Sequence, residues 1–141
     1  MSGNFAKVKS KKAKGKNNKG FSLLELVIAM FIIIILISVA LPTYFKSVQQ
    51  ARETVLKDTL FQMRKVIQQY TADKGKMPKS VKEMVEAGYF EKMPYDPISE
   101  KEEWNEEMGE DPNDKDGGQG MKNVHSLADG EDAGGTKYSE Y

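Results

Sequence analysis

The chain has 141 residues with 21 basic and 21 acidic side chains, so its formal charge is zero and its length suits one domain. It has no cysteine and one histidine, which excludes disulfide stapling, thiolate metal sites and, within one chain, His-based triads and multi-histidine metal centres. The charge is unevenly placed: residues 1–20 hold seven lysines and no acid, which leaves 14 basic against 21 acidic residues beyond Gly20, a net charge near −7.

Four regions follow one another. Residues 1–20, with Lys7, Lys9, Lys11, Lys12, Lys14, Lys16 and Lys19, are rich in Lys, Gly and Asn and have no apolar periodicity, so no element is predicted there. Residues 21–41 are almost wholly apolar; at about 1.5 Å per residue they make a helix of roughly 31 Å, enough to span a bilayer core. The preceding lysines predict a cytoplasmic N-terminus by the positive-inside rule and an outward-facing remainder. One carboxylate, Glu25, interrupts the start of the apolar run.

From Thr43 to Lys74 the pattern becomes that of an amphipathic helix. Phe45, Val48, Val55, Leu56, Leu60, Met63, Ile67 and Tyr70 supply the apolar positions, with Lys46, Arg52, Lys57, Asp58, Arg64 and Lys65 between them. Pro42 sits at the join and is expected to kink one long helix over residues 21–74 rather than end it. Gly75 and Pro78 mark the stop. Ser80 and Glu83 form a capping-box spacing for a short helix over 80–87, closed by Gly88. Beyond Pro97 the chain turns polar, and two short strands are expected near 103–106 and 121–126, joined by an acidic, Gly-rich loop over 108–120.

The stretch Gly20-Phe21-Ser22-Leu23-Leu24-Glu25 bears most directly on function. A carboxylate in a membrane span is costly: Asp is charged about 2.5–3.5 kcal/mol at a helix centre, and Glu near the interface is cheaper. An intramembrane acid therefore calls for a partner. Cleavage after Gly20 would create one, the new amino group on Phe21, about one helical turn from Glu25 of its own chain or of a neighbour. In a bundle such a pair can set axial stagger, as buried polar groups fix register in coiled coils. Two plainer readings stand beside it. Ser38-Val39-Ala40 has the small-x-small form of a signal-peptidase site, which would release a secreted binding protein after Ala40, and the apolar run could be a simple anchor.

The segment Gly20-Phe21-Ser22-Leu23-Leu24-Glu25-Leu26-Val27-Ile28-Ala29-Met30 resembles the class III signal of type IV pilins and their relatives. A basic leader, the Gly–Phe junction, Glu at the fifth mature position and Pro42 at the twenty-second coincide. The stretches Tyr70-Thr71-Ala72-Asp73-Lys74-Gly75-Lys76-Met77-Pro78, Ala87-Gly88-Tyr89-Phe90 and Met93-Pro94-Tyr95-Asp96-Pro97 resemble the major pseudopilin of type II secretion systems. So do Val124-His125-Ser126 and the ending from Gly135 to Glu140.

That resemblance implies removal of residues 1–20 by prepilin peptidase, N-methylation of Phe21 and a role for Glu25 in assembly. It further implies extraction from the inner membrane by an assembly platform with minor pseudopilins, and a homo-oligomeric periplasmic fibre that drives protein export. A type IV pilus or DNA-uptake pilin is the alternative, since such pilins share the N-terminal segment. The related pseudopilins also hold calcium, and Ser126-Leu127-Ala128-Asp129-Gly130 is similar to their loop with one residue missing. Their second aspartate has no clear counterpart, and Asp132 is the residue available to replace it. Ser126, Leu127, Asp129 and Asp132 are therefore the implied Ca²⁺ ligands, a solvated acidic turn being the other reading.

Other candidates fall away. From Asp111, an EF-hand reading puts Lys115 at the fifth loop position and Lys122 at the twelfth, where a bidentate Glu belongs. Gly117-Gly118-Gln119-Gly120 lacks the lysine and strand-to-helix setting of a phosphate loop. The lysines beside a membrane span read as topology and lipid determinants rather than nucleic-acid contacts. His125 is expected on a strand, and Trp104 as a packing residue of the sheet. The expectation is an α+β lollipop and not an enzyme: a leader (1–20), a membrane and filament-core helix (21–42), an amphipathic continuation (43–75) and a small head (76–141) with a short helix and antiparallel sheet.

Overall fold

The computed structural model describes residues 2, 3, 15 and 19–141; the lysines of the leader other than Lys19 lie outside the described residues. Its elements are a 52-residue helix α1 (Leu23–Lys74), a short helix α2 (Val81–Glu86), strands β1 (Asn105–Glu110) and β2 (Gln119–His125), and a 3₁₀ turn at Tyr138–Glu140. This is the expected α+β class, with a long apolar N-terminal helix, a short helix and a two-stranded antiparallel sheet. Two compact units divide the chain, Met1–Val39 and Ala40–Tyr141.

In the first unit α1 begins at Leu23, two residues later than the apolar run, because Ser22 is the first residue whose carbonyl accepts a helical amide, from Leu26 at 3.1 Å. The helix passes through Pro42. Proline has no N–H, so the carbonyl one turn back, at Ser38, loses its usual helical donor. In the second unit one face of α1 is buried. Leu56, Leu60, Met63, Ile67 and Tyr70 repeat at three or four residues and form one wall of the core. Val55 and Phe45, expected on that face, are exposed, and Glu53 is buried instead. Successive helical residues stand about 100° apart, so Val55 cannot share the face that Leu56 occupies.

The helix ends where Gly75 takes φ +68° and its amide returns to Thr71. At α2 the capping box forms with a shift in one half. Ser80 accepts the Glu83 amide at 3.2 Å, but the Glu83 carboxylate reaches back to the Lys79 amide and to the Tyr70 hydroxyl at 3.0 Å. The exit is a Schellman motif: Gly88, at φ +83°, donates to Val85 and Tyr89 donates to Met84. Val81 and Met84 then complete the core with Trp104, Met121, Val124, Ala128 and Tyr138. Trp104 is buried, as expected, and donates its indole N–H to the Pro94 carbonyl at 3.0 Å.

The strands differ from expectation mainly at β1, which starts after Trp104 and runs on to Glu110, so the intervening loop shortens to 111–118. The register pairs Glu107 with Asn123 and Met108 with Met121, leaving Lys122 as a bulge. Gly120 is required by proximity: a Cβ there would lie 2.2 Å from the Met77 Cβ. His125 closes β2, as its sequence context predicted.

Candidate processing and assembly segment

The Gly20–Phe21 bond lies just outside α1 in non-helical, exposed chain, and Phe21 is 88 % exposed. A Cβ added at Gly20 would meet no atom within 4 Å. An exposed, non-helical junction with a small residue before it is what a peptidase cleft can admit. Ser22 and Glu25 occupy the helix entrance, with Glu25 in the first turn. This offers Glu25 a local role, since an acid there complements the helix dipole by about 0.3–1 kcal/mol. That gain falls short of the cost of placing a carboxylate in a membrane span. The ion pairs among the described residues all lie between residues 52 and 132, so none involves Glu25.

From Leu26 to Ile37 the helix is apolar on all sides. Leu26, Ile28, Phe31, Ile34, Leu36 and Val39 are each more than half exposed. It is long and apolar enough to cross a membrane, and none of its most apolar stretch is buried within the protein. Scattered exposed apolar residues are ordinary; a continuous sleeve of them marks a surface that meets lipid or protein.

The predicted calcium ligands do not assemble as one set of side chains. Ser126, Leu127 and Asp129 line a cavity of about 490 Å³ with Asn105, Glu131 and Lys137; Asp132 is not in that lining. The Ser126 hydroxyl instead donates to the buried Asp96 carboxylate at 2.5 Å and accepts the Ala128 amide. Asp96 is fully buried and also accepts the Ile98 and Ser99 amides, which offsets its loss of water. The Asp132 carboxylate faces α1, and the Tyr141 hydroxyl followed by the Thr136 amide holds it down to about 2. Among the described residues no group of three or more His, Cys, Asp or Glu side chains is placed to hold a metal ion. Asp111 is likewise structural: it accepts the Met77 and Asn113 amides.

Three polar residues of α1 acquire roles that composition did not point to. Glu53 accepts the Tyr138 hydroxyl at 2.8 Å, and Gln49 donates to the same oxygen at 2.9 Å. Arg64 donates to Asn123, Val124 and Tyr141. Helical phase could have found Glu53, which stands three and seven residues before Leu56 and Leu60. Nothing local marks Arg64, whose partners are 59 to 77 positions away.

A model of the prokaryotic N-terminal methylation motif matches residues 15–41. Comparisons with curated proteins and with solved structures give no match. Pilin-like proteins generally form filaments and are processed by prepilin peptidase. The motif falls on the segment with the exposed Gly20–Phe21 junction and the apolar helix, and it indicates a type IV pilin-like protein.

Proposed function

We propose that the chain is a structural, non-enzymatic subunit of a type II secretion pseudopilus, cut between Gly20 and Phe21 and methylated on Phe21. It is held in the inner membrane with its N-terminus cytoplasmic until an assembly platform draws it into a periplasmic fibre. The observation that carries this reading is the placement of Glu25 in the first turn of a helix whose apolar surface is unburied along its first half. Such a helix leaves the bilayer readily only for another apolar environment, and a bundle of identical helices provides one. In that bundle the amino group of Phe21 would neutralise Glu25 of the same or an adjacent subunit.

Mass spectrometry of the protein from cells tests the processing step. A mature N-terminus at methylated Phe21 is expected, and Gly20→Glu should leave the leader attached while Gly20→Ala retains most cleavage. An N-terminus at Leu41 would instead establish the secreted binding protein. The pilus or DNA-uptake alternative is separated by deletion: loss of exoprotein export with no loss of surface pili or transformation supports the pseudopilus.

A further inference from the structure

The family resemblance implies a calcium ion in the 126–132 loop, but two of the expected ligands, the Ser126 hydroxyl and the Asp132 carboxylate, are engaged elsewhere. We infer that Lys57 of α1, its side chain still 56 % exposed, stands where a bound cation would neutralise Asp132, so that residues 126–141 close on the helix without calcium. The Asp132 carboxylate has about four acceptor directions, and four donors take them. Its Oδ1 accepts the Gly134 and Thr136 amides at 2.8 and 2.9 Å. Its Oδ2 accepts the Tyr141 hydroxyl at 2.5 Å and the Lys57 ammonium at 3.4 Å.

Lys57 is itself positioned. Its Nζ stands 4.5 Å from the centre of the Tyr141 ring, so it meets a carboxylate and an aromatic face together. Gln49, Glu53 and Lys57 recur every four residues and so present one stripe of α1. Gln49 and Glu53 hold the Tyr138 hydroxyl, and Lys57 holds Tyr141 and Asp132. A calcium ion needs six to eight oxygens aimed at one point. Ser126 gives its hydroxyl proton to Asp96, Asp132 is saturated by donors, and the cavity that Asp129 and Glu131 line already contains the positive charge of Lys137. The inference stands apart from the filament reading, since it concerns closure within one chain.

The test uses the full-length chain purified in detergent, with the buried Trp104 as fluorescence reporter of thermal unfolding. The midpoint in millimolar calcium chloride should match that in EDTA within about 2 °C, whereas a tightly held ion would move it further. Lys57→Met should lower the midpoint by more than about 2 °C in both solutions, and Lys57→Arg should stay nearer the wild type. A calcium-dependent rise beyond that limit in the wild type overturns the inference. So does a Lys57→Met variant that melts with the wild type.

Discussion

Residues 23–39 and residues 49–74 belong to one helix, yet they meet their surroundings in opposite ways. The first stretch, Glu25 and Ser38 apart, is apolar around its circumference and none of its most apolar part is buried within the chain; Ile33 is 53 % exposed. The second is polar over most of its surface and buries a narrow stripe, with Leu56 and Met63 wholly covered. Helical propensity does not separate them. What differs is where the apolar surface goes: the second stretch finds its partners in the same chain, and the first leaves its surface open to lipid or to another protein. Stability of the head and competence for assembly should therefore be separable by mutation.

The largest separation is expected at Glu25. Glu25→Gln should abolish filaments in electron micrographs of cells overproducing the chain, with the head's unfolding midpoint moving by less than about 2 °C. Undiminished fibres would leave an acid in an apolar helix with no part in assembly. Next comes a paired truncation along α1. Met63→Ala should cost about 2–5 kcal/mol of head stability in urea titrations. Ile33→Ala, in the uncovered stretch, should shift the same transition by no more than about 0.5 kcal/mol. Equal losses would show that the two stretches share one core after all.

A smaller loss, about 1–3 kcal/mol, is expected for Gly120→Ala, because its Cβ would collide with Met77 and push β2 from the chain that precedes α2. The smallest effect is at the sheet edge. The hydrogen bond from His125, and then the charge of Lys122, hold the Glu107 carboxylate below its ordinary 4.5. A depressed carboxylate stabilises the fold above its unfolded value and loses that contribution as pH falls through the folded one. Glu107→Gln should therefore be slightly less stable than the wild type above pH 4.5 and converge with it in stronger acid. Urea midpoints measured across that range check the convergence; curves that stay parallel would contradict it.

Much of the fold was legible because its signals are local. The apolar run, Gly75, the Ser80/Glu83 pair and Gly88 each act within about one turn of chain, so residue type and spacing suffice. The candidate site could be named for the same reason: Gly20, Phe21 and Glu25 lie within six residues. Strand β1 was harder. Asn105-Glu106-Glu107-Met108-Gly109-Glu110 has no apolar alternation, and only its ladder with β2 defines it, so the expected strand over 103–106 began and ended early.

The amino-acid sequence by itself determined the helix and its entrance acid and the stops at its far end, since those depend on neighbours along the chain. Tertiary structure alone decided that Glu53 is buried and Val55 is not, that Ser126 turns to Asp96, and that Asp132 turns to Lys57. Lys57 and Asp132 stand 75 residues apart in the chain, and a carboxylate's choice between an ion, water and an ammonium is made only once folding brings its competitors within reach.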